Sequence, residues 1–392
     1  MERVYLDNNA TTMVDPLVTE AMQPFFTQMY GNPNSLHSFG TEVHPYMGIA
    51  LDRLYAGINA SDEDDIIITS CASEGNNNVI KSVYFDCFMN HRKMQMITSA
   101  IEHPSVSQVY LFLEKLGVDV KWLPVNSQGI IDPEELKAAI DPDRTALVSI
   151  MWANNETGLI NPVKEYAEIC HENGVKLHID GVQAVGKIPV DMQDVRADYL
   201  TFSAHKFHGP KGVGGLYVRK NANLIPLLHG GEQMGGLRAG TVDTPYMIGM
   251  GLAMELAVKN IEYENKEVRR LRNKLEDALL DIDDVEVIGE RSLRTPNTIL
   301  ASFRGVEGEA FLWDLNQKGV AASTGSACSS ESLESNPTFV AMDIGSDLSH
   351  TGMRFSLSRY TTEDEIDYAI DAVKTSVKRL REISSTGDKG YI

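Results

Sequence analysis

The feature that most constrains the fold is an alternation of short apolar runs with helical patterns between about residues 64 and 220. Such an alternation is typical of βαβ units, in which helices cross over between parallel strands. It predicts strands at 65–69, 96–99, 146–150, 177–180, 199–203 and 214–218. Helix starts are indicated by a capping or turn residue followed by proline, at Asp15-Pro16, His103-Pro104, Asp132-Pro133 and Asn161-Pro162. The sequence therefore predicts an α/β fold around a mainly parallel sheet.

The chain of 392 residues is too long for one ordinary hydrophobic core, so a large and a smaller domain are expected. A helical pattern with many charged residues and spaced Leu and Ile runs from about 245 to 281 and is predicted to bridge the two domains. The region from about 285 to 385 has the mixed pattern of an α+β domain.

Charge and hydropathy patterning exclude several classes of protein. Acidic residues outnumber basic ones by 55 to 35, and Lys and Arg are nowhere concentrated, which argues against a nucleic-acid partner. The N-terminal residues lack the basic and apolar regions of a signal peptide, and the longest apolar stretch, near 247–258, is interrupted by Glu255. We expect a protein that is neither secreted nor membrane-spanning.

The cysteines lie far apart and form no Cys-x-x-Cys pair: they are Cys71, Cys87, Cys170 and Cys328. This spacing suggests neither a disulfide framework nor a zinc site, and it fits a reducing cytoplasm. Cys87 and Cys170 lie in apolar helical patterns and are predicted to be buried. Cys71 lies at a strand end near the possible phosphate site; we expect it to pack under the loop, with a contribution to the site as the alternative. Cys328 differs because it lies in a run of small polar residues, 322–331, which is typical of a surface loop.

Polar residues follow the predicted strands at the points where ligands bind in open α/β sheets, beyond the carboxyl ends of the strands. The five segments concerned are 70–76, 100–104, 154–158, 178–183 and 201–212. In the first, Ser73 opens a helix, so it is either a plain helix cap or part of a phosphate site at the helix N-terminus. A single His or Asn at a strand end, such as His103 or Asn155, is by itself compatible with a capping role.

Asp180 and Lys206 are the pair of residues that points to a cofactor. Lysine forms Schiff bases with carbonyl groups, and an Asp next to a pyridinium nitrogen is the other requirement of pyridoxal phosphate (PLP) chemistry. The two residues are 26 positions apart, about one strand–crossover–strand unit, so both can face one crevice. The alternative for Lys206 is an ordinary solvated surface charge.

A predicted strand at 353–359 carries Arg354 and Phe355, and its alternation indicates a half-buried strand with these two side chains on opposite faces. An arginine in such a position can bind a substrate carboxylate with two hydrogen bonds. A structural ion pair is the equally open alternative.

The chain resembles the NifS/IscS-type cysteine desulfurases, within the class V aminotransferases of PLP fold type I. The resemblance rests on the motifs at 5–12, 31–33, 102–103, 154–158, 203–206, 238–241 and 325–328. It implies a large PLP-binding α/β domain over 16–259 with a mainly parallel seven-stranded sheet. It also implies a smaller α+β domain, formed by 1–15 and 260–392, that carries the cysteine loop.

The resemblance also assigns roles to site residues. Lys206 would carry PLP as an imine, Asp180 would pair with the ring nitrogen, His103 would stack on the ring and Gln183 would reach the phenolic oxygen. Asn155 and Arg354 would hold the substrate, and Asn155 would also contact the cofactor. The remaining cofactor-binding residues are Ala72, Ser73, Ser203 and His205 of one subunit and Thr241 of the partner subunit, which implies a homodimer.

The activity implied is conversion of L-cysteine to L-alanine, with the sulfur taken by Cys328 as a persulfide and passed to an iron–sulfur scaffold protein of the NifU/IscU kind or another acceptor. Catalysis would rest on Cys328, Lys206 and His103 in a cytoplasmic enzyme. No metal site is expected, apart from transient ligation of an iron–sulfur centre by Cys328 through a partner. The alternatives are a PLP aminotransferase or lyase in which Cys328 has no covalent role, and a non-enzymatic interaction scaffold.

Four positions depart from the common pattern of that family. Ser73 stands where Thr is frequent, Gly181 where Ala is usual, Gly235 where Arg often occurs and Ala239 where Ser is common. Ser73 keeps the hydroxyl group that a phosphate site needs. We expect neither the fold nor the reaction to depend on the hydroxyl absent at Ala239.

Overall fold

A seven-stranded sheet forms the centre of the structure, a computed structural model that describes residues 3–92, 95–324, 337–345, 348 and 350–383. Its strands are β2 (Asp65–Thr69), β3 (Gln95–Ser99), β4 (Asp119–Leu123), β5 (Thr145–Met151), β6 (Lys176–Asp180), β7 (Tyr199–Ser203) and β8 (Gly214–Val218). They lie in the order β2-β8-β7-β6-β5-β3-β4. β8 runs in the opposite direction to the other six strands, which are parallel to one another. The predicted α/β fold with a mainly parallel sheet is confirmed.

The strand β4 is the one member of this sheet that the apolar runs do not indicate. Its sequence, Asp-Val-Lys-Trp-Leu, mixes charged and apolar residues, and only its last residue is buried. β4 lies at the edge of the sheet and pairs with β3 alone. Edge strands often carry charged residues, so they lack the continuous apolar run of a central parallel strand.

The helices pack on both faces of the sheet and around the C-terminal part of the chain. They are α1 (Pro16–Met22), α2 (Pro24–Thr27), α3 (Ser38–Thr41), α4 (His44–Gly57), α5 (Ala72–Met89), α6 (Pro104–Glu114), α7 (Pro133–Ala139), α8 (Val163–Glu172), α9 (Met192–Val195), α10 (Thr244–Tyr263), α11 (Arg269–Leu280), α12 (Gly308–Gln317), α13 (Pro337–Ala341) and α14 (Glu363–Ile383). The predicted caps Asp15, His103 and Asp132 each accept a hydrogen bond from a backbone amide of the first turn. α8 begins one residue after the proline that was expected to start it.

The helical stretch predicted at 245–281 is continuous but not uniform. Between α10 and α11 the residues Glu264–Val268 form a π-helical turn. One such turn inserts an extra residue and rotates the following helix relative to the preceding one. Glu264 is buried in this turn, whereas a charged residue in a helical sequence pattern is normally expected on the solvent side.

A second, smaller sheet lies in the C-terminal part of the chain. Its order is β12 (Ser323–Thr324), β13 (Gly352–Ser356), β10 (Thr298–Phe303) and β9 (Val285–Val287), all antiparallel. The N-terminal strand β1 (Val4–Tyr5) pairs with β11 (Val320–Ala321) in parallel. Every residue of β13 is buried. The prediction of a half-buried strand is therefore wrong. Met353 and Phe355 lie in an apolar core, and on the second face Arg354 pairs with Asp7 and the Ser356 hydroxyl accepts from the Asn9 amide.

Two large apolar clusters divide the chain. The first is built from residues between Val18 and Ala257 and packs under the seven-stranded sheet. The second combines Val4 and Leu6 with residues between Val268 and Leu380. This separation supports two domains, and the bounds given above stay a prediction. Among the described residues, no helix is both long enough and apolar enough to cross a bilayer.

Substitutions in α11 test the packing of the second cluster. Leu275 is fully buried, whereas Leu280 of the same helix is 47% exposed. We expect Leu275→Ala to lower the free energy of unfolding by about 2–5 kcal/mol, because it leaves a cavity in a packed core. Leu280→Ala should change it by less than about 0.5 kcal/mol. Urea denaturation of both variants measures the difference, and equal effects would contradict the assignment of Leu275 to a core.

Candidate active site

A cavity of about 350 Å³ opens at the carboxyl ends of the parallel strands. Met151 ends β5, Asp180 ends β6 and Ser203 ends β7, and all three side chains line the cavity. The N-terminus of α5 contributes Ala72 from the far side. This is the edge at which open α/β sheets bind ligands.

The predicted site residues converge on this cavity, with two exceptions. Those that line it are Ala72, Ser73, His103, Asn155, Asp180, Gln183, Ser203, His205, Lys206 and Arg354. Thr241 is exposed and lines a separate surface groove with Phe25 and Tyr30. Cys328 lies outside the residues that the structure describes.

The Asp180 carboxylate is held by hydrogen bonds that its own strand does not provide. Oδ1 accepts from the amide of Val182 at 3.0 Å, and Oδ2 accepts from the side-chain NH2 group of Asn76 at 2.9 Å. The same NH2 group donates to Ser105 Oγ at 2.9 Å, and the Asn76 carbonyl oxygen accepts from Thr201. Asp180 is only 5% exposed. The hydrogen-bond network therefore fixes the position of its carboxyl group at the base of the cavity.

The ring of His103 is oriented by the residue that follows its helix-starting proline. The backbone N–H of Ser105 donates to His103 Nδ1 at 3.1 Å, and Ser105 Oγ lies 2.8 Å from the same atom. A backbone N–H can only donate, so Nδ1 is an acceptor and the proton of the neutral ring is on Nε2. Burial lowers the pKa of His103 and so favours this neutral form, although the Asp180 charge opposes the shift.

Lys206 lies at the end of a 3-10 turn, 204–206, that directly follows β7. Its ammonium donates to the backbone carbonyls of Asn9 at 2.7 Å and Ala10 at 2.9 Å. The amine is thus held at the cavity by the N-terminal segment. Lys206 is therefore a strand-end lysine at a cavity, and the alternative of an ordinary solvated surface lysine does not apply.

One wall of the cavity can hold an anion. The N-terminus of α5 presents the backbone N–H groups that helical bonding leaves free, next to the Ser73 hydroxyl. The Ser203 hydroxyl is buried and has no hydrogen-bond partner within the described part of the chain. Burial and the charges of nearby lysines lower the pKa of His205 to about 4, so this ring remains neutral and offers an N–H donor at neutral pH.

The Arg354 side chain extends from β13 to the cavity wall opposite the possible anion site. Its Nη2 pairs with Asp7 at 2.8 Å and its Nη1 donates to the Asn155 carbonyl at 2.9 Å. The Nε atom is buried with no partner among the described residues. The side chain therefore has the structural ion pair that the sequence left open, and it also lines the cavity.

Some residues of the site were missed by reasoning from sequence. Asn9 and Ser105 line the cavity, and Asn76 holds Asp180 from behind. Of the two roles left open for Cys71, packing under the loop was preferred, but the residue is half-buried and lines the cavity where the chain turns from β2 into α5. Ser105 had a usable signal because it is the second residue after a capping histidine, and Asn9, Cys71 and Asn76 lie within the segments 5–12 and 70–76 that the sequence analysis singled out without giving these residues a role. No group of three or more His, Cys, Asp or Glu in the described ranges could hold a metal ion.

A buried carboxyl group lies directly behind His103. Glu102 is 8% exposed, and its Oε1 accepts from Ser99 Oγ at 2.5 Å and from the amide of Met151 at 3.1 Å. Its Oε2 is buried without a partner in the described structure. Burial raises the pKa of Glu102 to about 8, so the group is protonated at neutral pH.

The protonation of Glu102 predicts how stability changes with pH. Between the unfolded pKa near 4.5 and the folded pKa of about 8, the unfolded chain releases a proton that the folded chain retains. The free energy of unfolding therefore falls as pH rises through this window, by about 1.4 kcal/mol per pH unit from this group. Glu102→Gln should lack this contribution to the pH dependence of the free energy of unfolding. It should therefore be the more stable protein near pH 8, the upper end of the window. Urea denaturation at several pH values measures it, with exposed Glu172→Gln as control; parallel curves for wild type and Glu102→Gln would contradict the prediction.

Comparisons with known proteins agree with the geometry of the site. The family model for class-V aminotransferases matches residues 4–369. A cysteine desulfurase of Nostoc sp. is 46% identical over 385 residues, which cover 98% of this chain and 95% of that protein. The cysteine desulfurase NifS of Azotobacter vinelandii is 44% identical, also over 98% of this chain and 95% of its own length.

A solved structure described as a NifS-like protein superposes with a TM-score of 0.90 at 38% identity, covering 97% of this chain and 100% of that one. Identity at this level over nearly the whole length of both chains shows common family as well as common fold. The chain therefore belongs to the class-V aminotransferase family and, within it, to the cysteine desulfurases of the NifS/IscS type.

Proposed function

We propose that this protein is a PLP-dependent cysteine desulfurase, which converts L-cysteine to L-alanine and keeps the sulfur on Cys328 as a persulfide. One observation carries the proposal: Lys206, Asp180 and His103 line a single cavity at the carboxyl ends of the strands. A reactive amine, a buried carboxylate and a neutral aromatic ring are what an aldehyde cofactor with a pyridine ring requires.

The residues present fit PLP. The unpartnered Ser203 hydroxyl and the α5 N-terminus suit its phosphate, and buried Asp180 suits its ring nitrogen. Lys206 would hold the cofactor as an imine, His103 would stack on its ring and Gln183 would contact its phenolic oxygen. The phosphate would be bound by Ser73, Ser203 and His205, with Thr241 from a second subunit, and Ala72 would also contact the cofactor.

When bound, PLP would withdraw electrons from the substrate Cα and so make the substrate sulfur open to attack. The chain supplies the remaining functions. The Lys206 amine, once free, moves protons at Cα, and Arg354 with Asn155 holds the substrate carboxylate at the opposite wall. Asp180, held in place by the Asn76 and Val182 hydrogen bonds, would pair with the ring nitrogen and stabilise its positive charge.

In the sulfur-transfer step the Cys328 thiolate attacks the sulfur of L-cysteine. The S–S bond forms as the C–S bond breaks, and the electron pair of the C–S bond remains with the three-carbon product, which takes up protons and leaves as L-alanine. The protein ends as the persulfide, so no external oxidant or reductant is needed. A low thiol pKa near cationic groups would aid the attack.

The reach of the chain supports this role for Cys328. Ser323 of β12 pairs with Arg354 of β13, and Arg354 lines the cavity. Cys328 follows Thr324, the last residue of β12, by four positions, and four residues span at most about 14 Å. This length of chain is enough to bring the thiol to the wall of the cavity that Arg354 lines.

A homodimer is part of the proposal. Thr241 lies away from the cavity of its own chain, in a groove with Tyr30. Exposed apolar side chains lie at that groove: Tyr30, which lines it, is 64% exposed, and Phe39, whose ring centre lies 6.0 Å from that of Tyr30, is 52% exposed. Large exposed apolar groups rimmed by polar residues are typical of an interface, and a second copy would cover them while bringing Thr241 to the partner's phosphate site.

The persulfide sulfur would pass to an iron–sulfur scaffold protein or another sulfur acceptor. We place the enzyme in the cytoplasm, because a catalytic thiol must remain reduced between turnovers and disulfides do not persist there.

The test uses the cofactor-loaded enzyme with L-cysteine, with alanine and protein-bound sulfur measured separately. We expect Cys328→Ser to lose both alanine formation and persulfide by at least about 100-fold, because the attacking group is gone. Cys87→Ala, a buried cysteine away from the cavity, should keep both. Alanine or a keto acid formed at the wild-type rate by Cys328→Ser would favour an aminotransferase or lyase instead. The match to the class-V aminotransferase family is compatible with either of those activities.

A further inference from the structure

A second lysine lies buried beside the site and none of the steps above uses it. Lys187 follows β6 by seven residues and is 5% exposed. Lysine is almost never buried to this degree unless its ammonium is paired. Here the Nζ atom donates to Gln183 Oε1 and, at 2.9 Å, to Asn9 Oδ1. Both partners line the cavity.

The chemistry of the donor fixes the orientation of the Gln183 amide. A lysine ammonium has three N–H donors and no acceptor, so the atom of Gln183 that it contacts must be the carbonyl oxygen. The NH2 group of Gln183 consequently points the other way. One of its N–H bonds is directed to the backbone carbonyl of Asn9 at 3.0 Å, and the second is available at the cavity wall.

Asn9 connects Lys187 to Lys206. Its backbone oxygen accepts from Lys206 and from Gln183, and its side-chain oxygen accepts from Lys187 and Asn297. The Asn9 NH2 group donates to Thr298 and to the Asn155 carbonyl. The residue is 2% exposed. Two lysines therefore share one rigid asparagine, each on a different oxygen.

The charges around Lys187 are of both signs. Burial lowers the pKa of Lys187 to about 7, the charges of Lys206 and Arg354 add to that shift, and Glu264 from the π-helical turn opposes it. Loss of a proton would leave Lys187 with two N–H donors and one acceptor. The carbonyl oxygen of Gln183 would still face it, because the Gln183 NH2 group is held by the Asn9 backbone carbonyl, which can only accept.

We propose that Lys187 is a positioning residue of the cofactor site: by holding Gln183 Oε1 it turns the Gln183 NH2 group toward the phenolic oxygen of PLP. The inference rests on the proposed function. A donor at this oxygen stabilises its ionised form and so makes loss of the proton from the lysine–cofactor imine easier. Lys187 thus acts on the ionisation of that imine through Gln183, without contact to the cofactor.

The test is a spectroscopic pH titration of the visible imine band in protein loaded with PLP. Lys187→Met keeps the length of the side chain and removes its donors. We expect the titration midpoint to rise by about one pH unit, a tenfold change in the ionisation constant, since a hydrogen bond to a charged group is lost. Lys176→Met is the matched control: Lys176 is a half-buried lysine of β6 bonded to Tyr199, away from the cavity, and its midpoint should stay at the wild-type value.

A double-mutant cycle separates positioning from simple charge. Gln183→Ala alone should raise the midpoint, and adding Lys187→Met to it should raise it no further. An equal rise from Lys187→Met in both backgrounds would mean that Lys187 acts by its charge alone, and would overturn the inference. So would an unchanged midpoint in Lys187→Met.

Gln183→Glu provides an independent variant if methionine at 187 prevents folding. It keeps an oxygen for Lys187 and removes the NH2 group, so the midpoint should rise, and an unchanged midpoint would again overturn the inference. Failure of the proposed function looks different: the wild-type protein would then give no visible band that depends on Lys206, which would overturn both. A wild-type band lost in Lys206→Ala with midpoints unaffected by position 187 or 183 would overturn only the inference.

Discussion

The parallel pairing of β6 with β7 is the constraint on which the site depends. Asp180 lies opposite Thr201 in this pairing, and the chain continues from β7 into the turn that ends at Lys206. Thr201 also donates to Asn76, whose NH2 group holds Asp180. The backbone register of two strands and one shared asparagine therefore fix the carboxylate and the amine within one crevice, and neither residue needs a flexible loop to reach it.

The N-terminal segment closes this crevice from outside the large sheet. Asn9 accepts from Lys206, Lys187 and Gln183, while its neighbours Asp7 and Asn8 bond to β13 of the smaller sheet. A few residues thereby join the two apolar cores at the cavity itself. A buried polar network of this kind is satisfied only in one arrangement, so it specifies the geometry of the site as well as stabilising it.

Much of the fold could be predicted from local patterns. Short apolar runs indicated six of the seven strands of the large sheet, and the capping residues before Pro16, Pro104 and Pro133 start helices where expected. The edge strand β4 and the π-helical turn at Glu264 could not be predicted. A charged edge strand lacks a continuous apolar run, and a π turn has no sequence pattern of its own.

The site was predictable where its residues follow strands, as Asp180 and Lys206 do. It was not predictable where contacts join distant segments: Asn9 and Lys187 are 178 positions apart. Glu102 belongs to the motif at 102–103, but the sequence does not show that one of its oxygens is buried with no partner among the described residues.

The central claim is that the Lys206 amine forms an imine with an aldehyde cofactor beside Asp180. Reduction of the PLP-loaded protein with borohydride, followed by mass mapping of its peptides, tests this most directly because it makes the bond permanent. The account predicts a pyridoxyl-phosphate adduct on the peptide containing Lys206, and no adduct at that peptide in Lys206→Ala. An adduct confined to other lysines, or none at all, would contradict it.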